Sequence, residues 1–409
     1  MTLVRPFAGL RPAPQHASAV AAPPYDVLNT EEARARAAGK PHSFLHISKP
    51  EIDLPADTDP YAAIVYETGA KNLARLVGEG VLIRDTEPHY YVYRLKMGDH
   101  VQTGIVVAAS VADYDTNRVR KHEFTRPDKE DDRVRQVDAL NAQTGPVLLA
   151  YKADDAVDTI IENAARGVPM YAVTADDGIQ HTLWRIGDAA TVDRLTLLFD
   201  AMKALYIADG HHRSAAASRV AAARRGKSKN DSAEYFLAVA FPHDQMRIFD
   251  YNRVIKDLNG LSDDAFLAKI GERFDVAPAN AQVKPDKPTR FGMYMGGRWY
   301  QLDIKPALIP QTDPVARLDV SLLQDNLIAP VLGIHDPRRD KRIDFVGGIR
   351  GLGELEKRVN SGEMKVAFSL HPTTLEQLMA VADAGQVMPP KSTWFEPKLA
   401  DGLVSHVLD

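Results

Sequence analysis

The sequence predicts a mixed α/β protein of two or three domains, and three observations carry that expectation. Apolar residues make up 45% and charged residues 26% of the chain, the balance of a folded globular protein. Short apolar runs of β character alternate with helical patterns along most of the length. At 409 residues the chain is also too long for one ordinary core.

The first 60 residues are rich in proline and turn residues, with Pro6, Pro12, Pro14, Pro23 and Pro24 among them; the apolar pieces Val4–Leu10 and Ser43–Ile47 favour an ordered rather than a disordered arm. A helix is expected over Tyr61–Gly78, with Ile64, Leu73, Leu76 and Val77 on one face. Two β runs follow, His89–Met97 and Gln102–Tyr114; the second is almost continuously apolar, as a strand buried on both faces would be. The charged segment Arg118–Arg135 leads into a helix, with Thr125 and Pro127 placed as capping chemistry would place them. Strand Val147–Tyr151, helix Ala153–Arg166, strands Pro169–Val173 and His181–Ile186, and helix Thr191–Met202 come next. A strand at Ala204–Ala208 then turns tightly into an Ala-rich helix, His211–Arg225, ended by Gly226, and strand Glu234–Phe241 follows. A different block begins near residue 256, which divides the chain into expected regions 1–255 and 256–409. The second region reads as a helix, a β-pair near Phe291–Ile304 turning at Gly296-Gly297, helix Val320–Leu332, strand Ile343–Val346, helix Gly353–Asn360, strand Lys365–Leu370 and helix Thr374–Ala384.

Composition excludes several function classes. A net charge of −5 gives no overall basic field, so nucleic acid is not an expected partner. The absence of cysteine removes disulfides, thiolate metal sites and cysteine nucleophiles. No window holds 18 uninterrupted apolar residues and Met1–Leu10 has no apolar signal core, so a soluble, cytoplasmic protein without a membrane partner is expected.

The chemistry-bearing motif is Asp209-Gly210-His211-His212-Arg213, with Ser214 behind it. An apolar strand leads in, Gly210 permits a sharp bend, and two histidines and an arginine occupy the first turn of the next helix. That turn carries partial positive charge and prefers acids, so the conflict vanishes if a phosphate sits there, held by backbone N–H groups, Arg213 and protonatable imidazoles. Asp209 would cap the helix, fix a histidine tautomer or bind Mg²⁺. The plain alternative is a capped helix with incidental surface histidines. A second candidate, Lys121-His122-Glu123-Phe124-Thr125-Arg126, places a carboxylate among cations at a sheet edge, as a general base would be placed; taken alone, a solvated, salt-bridged face is the stronger account of it. A third, Met388–Lys398, brackets Lys391, Ser392 and Thr393 with prolines, as a loop closing over a ligand or a docked tail. A fourth, Pro23–Val27, presents Tyr25 and Asp26 on a stiff turn, with structural packing the simpler account. Gly226-Lys227-Ser228 only mimics the end of a phosphate-binding loop: Ala221 stands where the upstream glycine is required, and the triplet lies at a helix C-terminus. Gly347–Gly353 lacks dinucleotide-loop spacing and offers at most a weak anion loop.

Five segments occur in order: Arg5–Pro12, Pro23–Val27, Lys121–Thr125, Ala208–Arg213 and Pro390–Phe395. Together they resemble a bacterial and archaeal family known as a domain of unknown function, DUF1015, over essentially the whole chain. The Asp-Gly-His-His-Arg element is similar to the phosphate motif of the ParB/sulfiredoxin superfamily, which includes free-serine kinases. The resemblance implies a ParB/sulfiredoxin-like core with an additional C-terminal α/β region. It also implies that Asp209, Gly210, His211, His212 and Arg213 hold nucleotide phosphates. In the serine kinases an upstream glutamate deprotonates the serine hydroxyl, and Glu123 is assigned that role by position and setting. Sulfiredoxin activity needs a cysteine, which this chain lacks, and no helix-turn-helix DNA region is seen.

The expectation is therefore a kinase that moves phosphate from ATP or ADP, with Mg²⁺, to a small-molecule hydroxyl, L-serine first. Glu123, Asp209, His211 and His212 would be catalytic, Gly210–Ser214 would bind nucleotide, and Tyr25, Asp26, His122, Thr125, Lys391, Ser392 and Thr393 would bind the acceptor. A nucleotide-binding switch or slow NTPase is the rival. The oligomeric state is left open, a dimer among the options.

Overall fold

A computed structural model describes residues 1–227 and 230–409 and divides them into two units, Met1–Met246 with Pro397–Asp409, and Arg247–Glu396. The protein is mixed α/β. The most apolar run becomes a central strand: in His100–Ser110 every residue from Gln102 onward is buried. Ile105, Val107 and Ala109 join the main core cluster, while the alternate residues Val106 and Ala108 are buried on the opposite face.

This strand lies within a nine-stranded sheet of the first unit. In spatial order the sheet runs Val119–Arg120, Leu205–Asp209, Val147–Tyr151, Tyr235–Pro242, His100–Ser110, Tyr90–Met97, Gln180–Ile186 and Tyr171–Thr174, with Val4–Arg5 added against His100–Ser110. Its pairing is mixed: Leu205–Asp209 is parallel to Val119–Arg120 and antiparallel to Val147–Tyr151. The Pro-rich N-terminal segment is ordered around a smaller core of its own, where Leu10, Val20, Phe44, Leu45 and Ile47 pack with Leu73, Leu76 and Leu140.

The second unit is built on a six-stranded antiparallel sheet: Phe274–Ala279, Arg298–Ile304, Arg290–Met295, Val366–Leu370, Tyr251–Ile255 and Ile343–Gly347. Strand Tyr251–Ile255 pairs inside this sheet, so the division falls after Met246 rather than after residue 255. The last residues return to the first unit, where His406–Val407 pairs with Ala142–Gln143 and Asp401 bridges to Ala22. Among the described residues no helix is long and apolar enough to cross a membrane.

Several boundaries differ for local reasons. The run expected to stay extended to Tyr114 turns into helix Val111–Asp115 because the Ser110 hydroxyl accepts the Asp113 N–H at 3.1 Å. Helix Pro127–Leu140 begins with Pro127, as expected, but Thr125 does not cap it; its hydroxyl donates to Glu130 instead. The expected helix Val320–Leu332 is a short α-helix, Asp319–Leu323, followed by a wider π-helical turn over Gln324–Ile328. Strand Phe274–Ala279 was not expected, because its burial does not alternate cleanly. Ser228 of the Gly226-Lys227-Ser228 triplet lies outside the described residues.

Candidate active site

The site starts at the end of a buried strand. Leu205, Tyr206, Ile207 and Ala208 are buried, and the strand's register shifts between Ile207 and Asp209, which re-aims the backbone at the sheet's end. Gly210 then adopts φ 101°, open to glycine and strained for other residues. A Cβ there would meet Arg213 Nε at 3.1 Å and the Val147 Cα at 3.3 Å. Helix His211–Arg224 follows with no capping side chain and no acid in its first turn. Its small residues Ala216, Ala217 and Ala221 are buried. The N-cap residue thus contributes no carboxylate or hydroxyl to the electropositive end of this helix, and the nearest carboxylate, Asp209, takes the Gly210 N–H just before it.

The paired histidines differ in charge from the expectation. His211 Nε2 accepts the His122 backbone N–H at 3.4 Å, and His212 Nε2 accepts the Arg126 backbone N–H at 3.1 Å. Burial, with the nearby Arg213 acting in the same direction, holds the His211 ring well below the ordinary histidine range. Burial and Arg126 lower His212 as well. Both rings are therefore neutral acceptors near neutral pH, tying the 121–126 loop to the helix end, rather than cations waiting for phosphate. The His122 ring, pushed down to about 4 by burial, packs edge-on against His211 at 4.5 Å between centroids. This clamp brings the Glu123 carboxylate to 3.8 Å from His211 Nδ1, with the Glu123 side chain still 52% exposed.

The charges beside the helix end come from four segments of the first unit. Arg213 donates to the Pro146 carbonyl, and its Nη2 lies 3.4 Å from Asp209 and 3.7 Å from Asp26. Lys398 Nζ stands 3.8 Å from the same Asp209 carboxylate. Burial opposes the charge on Asp209, yet Lys398 and Arg213, with the Gly210 N–H, hold its carboxyl down to about 2. Tyr25 lies under the Arg133 guanidinium at 3.9 Å, and burial pushes its hydroxyl up to about 12.

The structure therefore gathers Tyr25, Asp26, His122, Glu123, Asp209, His211, His212 and Arg213 in one unit, around one helix end or its loop. Ser214 is fully buried and its hydroxyl bonds the Gly210 and His211 carbonyls, so it faces the helix rather than a ligand. Lys391, Ser392 and Thr393 fall in the second unit. There the Lys391 carbonyl accepts from Arg253, Lys391 Nζ lies 5.5 Å over Tyr251, Ser392 bonds the Pro389 carbonyl, and Thr393 precedes strand Trp394–Phe395. The expected Met388–Lys398 loop is thus split, its Pro397 and Lys398 belonging to the first unit. Lys398 was visible in the sequence only as one cation of that loop, and nothing there tied it to Asp209. Asp209, flanked by two cations, is poorly suited to hold Mg²⁺ unaided. Ligand atoms of His122, Glu123 and His211 do come within 4.8 Å of one another, but such a nitrogen-rich set suits transition metals better than Mg²⁺.

Fold and site together define a mixed α/β protein whose large sheet delivers an uncapped helix end to a cluster of charged side chains. The chain belongs to the family described as "Protein of unknown function (DUF1015)", whose family model matches residues 4–321. No curated protein matches it. Among solved structures it is similar to a free serine kinase in complex with AMP, at 13% identity over 73% of this chain and 92% of that one, with a TM-score of 0.35. A conserved hypothetical protein from Pyrococcus furiosus matches at 14% identity, covering 73% and 93% of the two chains, with a TM-score of 0.35. C-terminally truncated SbnI from Staphylococcus aureus matches at 11% identity over 72% and 85%, with a TM-score of 0.38. At these scores the likeness says nothing about what this chain binds.

Proposed function

We propose that this chain is a small-molecule kinase that moves the terminal phosphoryl group of ATP or ADP to a free hydroxyl, with L-serine the first acceptor to test. The observation that carries the reading is the start of helix His211–Arg224, which has no capping side chain and no acid in its first turn. Its first-turn N–H groups and dipole suit a phosphate. Lys398 and Arg213, held by Asp209, supply positive charge beside it. Phosphoryl transfer asks the protein mainly for positioning and electrostatics, and these groups are of that kind. Glu123, on the loop fastened by His211 and His212, takes the proton of the acceptor hydroxyl. The hydroxyl oxygen forms a bond to the terminal phosphorus, the bond to the leaving phosphate oxygen breaks, and that oxygen departs with the donor. Tyr25, Asp26, His122 and Thr125 belong to the acceptor side.

One observation favours a second reading, a nucleotide-binding switch or slow NTPase. Arg213 is already faced by two protein carboxylates, which leaves less free cationic charge for phosphate than a fast enzyme would present. The two separate in one assay. The protein is incubated with ATP or ADP, Mg²⁺ and a panel of amino acids, and phosphorylated products are followed by mass spectrometry. Acceptor-dependent product is expected; nucleotide-raised melting without acceptor-dependent turnover would replace the kinase with the switch.

A further inference from the structure

A cavity of about 40 Å³ in the first unit is lined by Tyr25, Ser48, Arg133, Gly145, Arg213 and Asp401, among others. That is room for about three waters at roughly 10–15 Å³ each, or for the polar end of a small ligand. It shares Arg213 with the helix end, so its occupant would lie next to a phosphate bound there.

Two buried polar atoms of this lining have no hydrogen-bond partner among the described residues, Asp401 Oδ1 and Ser48 Oγ, in residues 1% and 4% exposed. Buried polar groups are nearly always satisfied, and an orphaned carboxylate oxygen is among the costliest exceptions. Charge points the same way. Arg133 is paired with Asp132 at 2.6 Å, while Arg213 faces Asp26 and Asp209, and Lys398 faces Asp209. The two guanidiniums that line the cavity, Arg133 and Arg213, are thus already faced by the carboxylates of Asp132, Asp26 and Asp209, and an ionised Asp401 has neither of them to itself. Burial pushes the Asp401 carboxyl up to about 7, and Arg213 offsets this only in part. A neutral donor such as water would satisfy the orphaned atoms, but once Asp401 is ionised, in mildly alkaline solution, a bound cation satisfies them and its charge together.

We propose that this cavity takes the primary ammonium group of a small amine ligand, which donates to Asp401 Oδ1 and Ser48 Oγ. The ligand class is a free amino acid or amino alcohol. Calling that ligand the phosphate acceptor rests on the kinase reading above; its binding does not. With the hydroxyl of such a ligand directed past Arg213, the site would choose amino acids over hydroxy acids of the same size.

Titration calorimetry on the full chain in mildly alkaline buffer tests this with L-serine, L-alanine and L-glycerate. The two amino acids are expected to bind and glycerate, which lacks the ammonium, is not. Asp401→Asn should weaken L-alanine binding about tenfold or more, and Ser48→Ala a few-fold. Melting curves establish that each variant is folded; if Asp401→Asn is not, Ser48→Ala and the glycerate comparison decide. Glycerate binding as tightly as alanine, failure of both amino acids to bind, or unchanged alanine affinity in the folded variants would overturn the pocket. Alanine has no hydroxyl to phosphorylate, so amino-acid binding without any transfer to serine would sink the kinase reading and leave the pocket standing.

Discussion

Gly210 and the two histidines after it set the terms at the residue scale. With φ 101° and neighbours at 3.1 and 3.3 Å from any added Cβ, position 210 cannot take a side chain without strain. Gly210→Ala is expected to lower stability by about 1–3 kcal/mol, read from the shift of the thermal unfolding midpoint. Glu123→Gln should keep nucleotide affinity and reduce phosphoryl transfer by about 10²–10⁴-fold. Full transfer in that variant would return Glu123 to a solvated surface role. The motif Asp209–Arg213 was legible in the sequence as a candidate site because two histidines and an arginine contradict the preference of a helix start. The protonation state of His211 and His212 was not legible. It depends on burial and on two backbone N–H donors that sit nearly ninety residues earlier in the chain.

At the scale of elements, the loop 121–126 and helix His211–Arg224 act as one piece because two imidazoles accept loop N–H groups. His212→Ala removes the acceptor of the Arg126 N–H, an exposed hydrogen bond worth about 1 kcal/mol at most. Amide exchange at Arg126 should therefore quicken in the variant while exchange within the helix stays slow; equal exchange in both proteins would show that the clamp does not order the loop. Buried strands were legible where apolar runs are continuous, as in His100–Ser110 and Tyr235–Pro242. Their ends were not. Ser110 ends its strand through a side-chain cap, and Thr125 leaves its expected capping place for Glu130. In both, one hydroxyl chose among nearby partners that local pattern does not rank.

At the scale of the whole molecule, the return of Pro397–Asp409 to the first unit supplies Lys398 and Asp401, and sequence order alone gives no sign of it. The first unit also carries a pH signature. Burial holds His122, His181 and His406 down to about 4 and His211 well below the ordinary histidine range, so these groups bind protons mainly when unfolded. Their effect raises stability as pH climbs from about 4 to 6.5 and is flat above. Asp401, pushed up to about 7, acts oppositely: it holds a proton when folded and loses stability as pH rises toward 7. Four histidines outweigh one acid, so the denaturant midpoint of this unit should increase between about pH 4.5 and 6.5. A falling midpoint across that window would contradict the neutral, buried state assigned to the histidines. Nucleotide binding at the start of helix His211–Arg224 is probed most directly by amide NMR during titration with ADP and Mg²⁺. Saturable shifts at the His211, His212 and Arg213 amides are predicted. Saturable binding that moves other amides and leaves these three unchanged would contradict it.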